Sequence, residues 1–195
     1  CFAPRPGIGN LRAGVDIDSD GNLWVADNQN HRVLRYPIQG NGIPSFEPDL
    51  VLGQPDFYSN NWSSQPSGMV HPTAVRVTDT GVVYVADTNN QRVSVFEPPL
   101  TTGMDYTRVL PDSPTYPSGL AIGPDGSLWV TDRGSNDIIR YVNETVQVVI
   151  TGSDDQGGVG IDQDGNVFAA GWIQQSVIRF PPPGFTQDTT VLQGP

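Results

Sequence analysis

The chain repeats itself. A 23-residue pattern occurs four times, at residues 14–36, 74–96, 119–141 and 158–180, with no insertion or deletion inside it. Successive copies start 60, 45 and 39 residues apart, so all length variation lies outside the pattern. A fixed core with variable connections is the signature of stacked or circularly arranged units, none of which can bury its apolar surface alone.

Aligning the copies shows what the backbone requires. Gly21, Gly81, Gly126 and Gly165 share a column and follow Asp20, Thr80, Asp125 and Asp164. Asp-Gly between two apolar runs marks a hairpin, because Gly takes positive φ at little steric cost. The runs that follow, Leu23-Trp24-Val25-Ala26 and its three counterparts, are apolar on both faces, which predicts strands covered on both sides. A turn rich in Asn and Gln leads to a third strand (Val33-Leu34-Arg35-Tyr36 in the first copy), and a fourth β-prone run follows at variable distance, as in Leu50-Val51-Leu52. The fold class is therefore all-β. Each unit is a four-stranded antiparallel blade, at approximately 14–53, 73–110, 118–150 and 157–193 within one segment spanning 1–195.

Four-stranded sheets of about 40 residues, apolar on both faces, can bury those faces by packing radially as blades of a β-propeller. The residues Val25-Ala26-Asp27 with Asn30-His31-Arg32-Val33, and Val85-Ala86-Asp87-Thr88 with Asn90-Gln91-Arg92-Val93, resemble the NHL-repeat family, bacterial type. The third copy keeps Asp132 but has Asp137 for the Arg, and the fourth has Gly171 for the Asp and Ser176 for the Arg. The resemblance implies a propeller that usually closes with more than four blades. The expectation is thus a segment of a larger or oligomeric ring. The alternatives are two copies joined head to tail, or four blades closing on themselves.

Composition narrows the partners. The formal net charge is −11 with ten Lys and Arg and no basic run, too little positive charge to neutralise a phosphate backbone, so no nucleic acid is expected. No run reaches the length of a membrane-spanning helix. The single cysteine permits neither an internal disulfide nor a zinc cluster. That cysteine, Cys1, reads either as the lipid-bearing residue of a processed bacterial lipoprotein or, preferred here, as an ordinary residue of a fragment. Asn61-Trp62-Ser63 and Asn143-Glu144-Thr145 match the N-glycosylation acceptor, which matters only in a eukaryotic secretory route.

Three features could carry chemistry. Asp18-Ser19-Asp20-Gly21-Asn22 and Asp162-Gln163-Asp164-Gly165-Asn166 resemble the opening of a calcium loop, but the twelfth position holds Gln29 or Ile173 instead of the bidentate Glu, so both read as hairpin turns. His31 and His71 are the only histidines, short of the three ligands of a catalytic zinc site, and a structural role is expected for them. The third feature is the connection at residues 54–71, longer than its siblings and carrying Phe57, Tyr58, Trp62 and Met69. Long loops are usually functional or mobile. In a propeller this loop shares a rim with the turns between second and third strands. The candidate binding rim is therefore Asn28, His31, Arg32, Phe57, Tyr58, Trp62, His71, Asn89, Arg92, Arg133 and Trp172. The competing reading packs the loop aromatics onto their own blades.

The expected function is a non-enzymatic binding or scaffold module outside the cytoplasm, in an extracellular, periplasmic or cell-surface setting, presenting this rim to a protein or glycan partner. One alternative is a structural subunit of a cell-surface or filamentous assembly built by self-association. Another, implied by the resemblance, is a metal-dependent lyase or lactonase-like enzyme with ligands near the propeller axis, where Asp16 and Asp18 fall. No cofactor and no metal site is expected.

Overall fold

The computed structural model describes residues 14–112, 114–151, 156–171, 176–186 and 189–193. The repeated glycines close hairpins as their column predicts. Gly21, Gly81, Gly126 and Gly165 have φ of 89°, 82°, 78° and 81°, and each donates its N–H to the carbonyl three residues back, at 2.9–3.1 Å. A side chain at such φ is strained, which accounts for the invariance of the column within the chain.

Each repeat builds one antiparallel sheet of four strands in sequence order. Blade 1 contains β1 (Val15–Ile17), β2 (Leu23–Asp27), β3 (Arg32–Tyr36) and β4 (Leu50–Leu52). Blade 2 contains β5 (Pro72–Val77), β6 (Val83–Asp87), β7 (Arg92–Phe96) and β8 (Arg108–Val109). Blade 3 contains β9 (Pro117–Ile122), β10 (Leu128–Asp132), β11 (Asp137–Val142) and β12 (Thr145–Ile150). Blade 4 contains β13 (Gln156–Ile161), β14 (Val167–Gly171), β15 (Ser176–Phe180) and β16 (Thr189–Gln193). The register is the same throughout: Val25 pairs with Leu34, Val85 with Ser94, Val130 with Ile139 and Ala169 with Ile178. The sheets are arranged as four blades of a β-propeller.

The blades are held face to face by three apolar layers. Trp24, Ala26 and Val33 of blade 1 pack on Val75, Val83 and Phe96 of blade 2, with Met69 of the long connection inserted between them. Ala86 and Val93 pack on Leu120, Val130 and Tyr141, and Trp129 and Ile138 on Val167, Ile178 and Phe180. Burying one Val or Leu is worth about 1.5–3 kcal/mol, against roughly 0–1 kcal/mol for an exposed ion pair such as Arg35–Asp49. These faces, more than surface charge pairs, hold the array together.

The innermost strands approach closely. A Cβ on Gly14 would sit 2.6 Å from the Ala74 Cα, so the first position of the copy cannot carry a side chain where the neighbouring strand already has one. Gly14, Thr73, Arg76, Ser118, Gly119 and Gly158 contribute to a channel of about 360 Å³ lined by all four inner strands. The channel marks the propeller axis.

The turns between second and third strands differ from an irregular loop. In blades 1 and 2 they form single 3-10 turns, Asn28–Asn30 and Thr88–Asn90, each ended by a residue in the left-handed region. Those residues, His31 and Gln91 with φ of 56° and Asn136 in blade 3 with φ of 59°, occupy one column. A left-handed residue here turns the chain directly into the third strand.

Candidate binding rim

The Asp and Arg columns have a structural use. Asp27 accepts hydrogen bonds from the Asn30 amide at 2.9 Å and from Arg32 Nε at 2.8 Å. Asp87 does the same with Asn90 and Arg92, both at 2.8 Å. The rest of each guanidinium reaches the connection lying across the rim. Arg32 Nη1 donates to the Phe57 carbonyl at 2.7 Å, and Arg92 donates to the carbonyls of Ser64 and Gly68 at 3.0 and 2.9 Å. Arg92 also lies over the Tyr106 ring, 4.7 Å from its centroid. A planar fork with five donors suits this task, because several carbonyls must be satisfied from one buried point.

These clamps fix residues 54–71 and divide the candidate residues into two groups. Gln54 is buried and donates from its amide to the carbonyls of His31 and Asn61, at 3.0 and 2.8 Å. Met69 is buried in the layer between blades 1 and 2. Phe57 is half-buried, whereas Tyr58 and Trp62 are 81% and 71% exposed. Part of the connection thus packs onto its own blades, and two of its aromatics face outward. His31, Arg32 and Arg92 are buried beneath it as supports.

Asn28, His71, Asn89 and Arg133 converge elsewhere on the rim. With Tyr116 and Ser118 they line a cleft of about 260 Å³. Thr73 and Ser118 also line the axial channel, so the cleft opens at its mouth. Asn28 donates to the Pro72 carbonyl at 3.0 Å and stands 3.3 Å from His71 Nδ1. Tyr116 donates its hydroxyl to the Asn89 side-chain oxygen at 3.0 Å, and the Arg133 guanidinium lies 5.9 Å from the Tyr116 ring centroid. Amide, imidazole, guanidinium and phenol groups thus border one small opening.

Tyr116 was not among the sequence candidates, although a signal for it exists. His71-Pro72-Thr73 and Tyr116-Pro117-Ser118 are equivalent stretches that enter β5 and β9. Extending the repeat three residues upstream would have placed Tyr116 beside His71.

The two histidines meet beneath the cleft. Their rings are 4.5 Å apart, edge to face, and the His71 backbone N–H donates to His31 Nδ1 at 3.1 Å. That bond makes Nδ1 of His31 an acceptor. Burial and the adjacent His71 hold the His31 pKa below its ordinary value, and Asp27 opposes them only in part.

The aspartates of one column titrate differently. Burial pushes the Asp87 carboxyl up, against the bonds from Val70, Asn90 and Arg92. Burial acts the same way on Asp132, but the N–H groups of Thr115, Gly134 and Tyr116 and the Ser135 hydroxyl outweigh it and hold that carboxyl below its ordinary range. With Asp137 where an Arg would stand, Asp132 is satisfied by backbone donors. Both Asp87 and Asp132 tie the end of the second strand to the segment entering the blade, at Val70 and at Thr115–Tyr116.

The remaining acidic candidates are structural. Asp18 accepts from the Asn22 N–H and from the Trp24 indole at 2.9 and 2.8 Å, and Asp162 accepts from the Asn166 N–H at 2.8 Å. Both sequences are hairpin turns. Asp16 accepts the Val77 N–H at 2.7 Å, bridging two inner strands. Among the described residues no three His, Cys, Asp or Glu side chains form a metal-ligating group. Cys1 and Trp172 lie outside the described residues.

The family model of the NHL repeat matches residues 13–36, 69–96 and 115–141. The chain carries three NHL repeats. The match covers blades 1 to 3, while blade 4 of this NHL array is assigned by its geometry. The peptidyl-glycine alpha-amidating monooxygenase of Mus musculus is 32% identical over 152 residues, 71% of this chain and 14% of the relative. The rat enzyme is 31% identical with the same coverage, so the chain spans about a seventh of these curated relatives. Among solved structures, Kuenenia stuttgartiensis hydrazine synthase overlays with a TM-score of 0.69 at 20% identity, covering 99% of this chain and 53% of that one. A Staphylococcus aureus virginiamycin B lyase with quinupristin gives 0.65 at 18%, covering 97% and 58%. The Xanthomonas campestris gluconolactonase XC5397 gives 0.64 at 16%, covering 92% and 62%. At these identities the structural likeness establishes the propeller fold.

Proposed function

We propose that this NHL array is a non-enzymatic binding module that presents the rim at residues 54–71, with the adjoining cleft, to an exposed protein segment or a glycan. The observation carrying this reading is the convergence of Asn28, His71, Asn89 and Arg133 with Tyr116 at the mouth of the axial channel. Exposed Tyr58 and Trp62 stand on the same rim. Polar donors and acceptors around a small opening, with large aromatics presented on a clamped loop, suit a hydroxylated or peptide ligand. The net charge of −11 disfavours nucleic acid. No helix among the described residues is long and apolar enough to cross a membrane. The setting proposed with this reading is outside the cytoplasm.

A glycan array and a displayed peptide library test it. Binders are titrated against the wild-type chain and against Asn89→Ala, Arg133→Ala and Trp62→Ala. Loss of about tenfold in affinity on at least one substitution, with folding intact, is expected where a side chain anchors the ligand. Absence of any binder in both classes, or binders indifferent to all three substitutions, would sink the reading.

The names of the relatives and structural neighbours keep an enzymatic alternative in view, as a lyase or lactonase-like reaction at the axis. Its weakness lies in the donors, since His31 Nδ1 is already engaged by the His71 backbone.

A further inference from the structure

The segments entering blades 2 and 3 are held in two ways. The Val70 N–H donates to Asp87 at 2.7 Å and the Thr115 N–H to Asp132 at 2.9 Å, each within its own blade. At the next residue the two blades differ. The Tyr116 N–H also donates to Asp132, at 2.7 Å, whereas the His71 N–H crosses to blade 1 and donates to His31 Nδ1 at 3.1 Å. Asp132 stays an acceptor well into acid, since its donors hold it below the ordinary carboxylate range. An imidazole nitrogen accepts only while it lacks a proton, and it gains one in mildly acidic water. Gln91 and Asn136, in the column of His31, carry no group that titrates.

That bond sits where the long connection and the cleft meet. The His31 carbonyl accepts from the Gln54 amide at 3.0 Å, at the start of the connection, and the two imidazoles stand edge to face at 4.5 Å. His71 Nδ1 lies 3.3 Å from the Asn28 side-chain oxygen, and both residues line the cleft. Gln54, His31, His71 and Asn28 therefore form one short path from the connection to the cleft. The neutral ring suits this place. With Nδ1 of His31 accepting, the ring proton is on Nε2. A charge on this ring is disfavoured by burial first and by His71 next. Asp27, at the end of β2, favours the charge, but it is already engaged by Asn30 and by Arg32 of β3. Gln54 brings no charge from the connection.

We infer that the His31–His71 pair is an acid-operated latch, holding the segment that enters β5 against blade 1 at neutral pH and letting it go when His31 takes up a proton from solvent. The proton lands on Nδ1. The bond from the His71 N–H then breaks, two N–H groups face each other, and the imidazolium sits in a buried place with no acceptor at that nitrogen. His71 moves away, and its ring leaves Asn28 and the wall of the cleft. A ligand held in the cleft at neutral pH is thereby released in acid. That consequence rests on the reading of the cleft as a binding site, whereas the opening of the latch does not.

Amide exchange and nitrogen NMR of the 195-residue chain, followed from about pH 7.5 to about pH 5, test this. The His71 amide is expected to lose its protection factor along the same curve on which His31 Nδ1 becomes protonated, while the amides of β10 stay protected. His31→Gln, which installs the residue of blade 2, should flatten the response. His71→Tyr, which installs the residue of blade 3, should keep it, because the donor is the backbone. A His71 amide that stays protected through the His31 titration overturns the latch, as does a loss that survives in His31→Gln. Measurements on the unsubstituted chain decide the matter if a variant fails to fold. A glycan or peptide binder weakened by Asn89→Ala or Arg133→Ala is expected to lose about tenfold in affinity over this range and to keep its affinity in His31→Gln. Such a binder indifferent to pH while the latch opens overturns the coupling to the cleft. Absence of binders counts against the binding reading alone, and the exchange result still decides the latch.

Discussion

The Asp87 carboxylate and the Arg92 guanidinium meet at 2.8 Å with the Asp side chain fully buried, and the same Arg holds three carbonyls of the long connection at residues 64, 65 and 68. One pair therefore joins the end of β6 to the start of β7 and pins the rim loop over both. Removing Arg92 leaves a buried carboxylate without its cation and the loop without its clamp. Arg92→Ala is expected to cost on the order of 3 kcal/mol in denaturant unfolding, the range for breaking a buried pair. Limited proteolysis should show new cleavage between residues 63 and 68. A variant with full stability and an uncut loop would contradict the clamp.

The histidine pair predicts a pH dependence. His31 has a folded pKa below its ordinary 6.5, so as pH falls below about that value the unfolded chain takes up a proton more readily than the folded one. The stabilisation is complete above pH 6.5 and is lost as pH drops through that value toward the lowered folded pKa. Thermal melts between neutral and mildly acidic pH should therefore show a falling Tm. His31→Gln, which installs the residue blade 2 uses at the same left-handed position, should flatten that slope. An unchanged slope would move its origin elsewhere.

Ser94 is fully buried with no hydrogen-bond partner for its hydroxyl, in a column where blades 1, 3 and 4 have Leu34, Ile139 and Ile178. An unsatisfied buried hydroxyl costs about 1–3 kcal/mol, while removing one oxygen leaves only a small void. Ser94→Ala is expected to raise unfolding stability by roughly 1 kcal/mol on that basis. A decrease would mean that the hydroxyl is satisfied by water.

Tyr58 and Trp62 project from a loop whose backbone is held by Arg32, Arg92 and Gln54. Replacing both with Ala should leave stability within about 0.5 kcal/mol, as for surface sites, while reducing rim binding. Equilibrium unfolding beside a binding titration separates the two effects. A large loss of stability would show that these side chains pack rather than present.

Much of the fold was legible because four copies constrain one another. The glycine column located the first hairpin of each blade, and the apolar runs around it located the strands. The rim was legible only in part. Asn28, His71, Asn89 and Arg133 share an opening, but His31, Arg32 and Arg92 lie under the loop they were expected to border. The repeat marks these positions as special without saying whether a polar group faces solvent or satisfies a buried carbonyl, since both uses select the same residue types. Tyr116 was missed because the aligned pattern began just downstream of it.

The sequence by itself determined the blade, because strands apolar on both faces and positive-φ glycines are local requirements written into each copy, and the Asp-Asn-Arg turn is written into the first two. Only the tertiary structure decided that the guanidiniums reach a loop about 25 residues away in sequence, that two histidines meet edge to face, and that the apolar columns of Val15, Ile17 and Ala170 stand exposed. Those are facts about which surfaces face one another. Identical columns are buried or exposed according to the neighbour each blade receives, and no single copy of the pattern contains that neighbour.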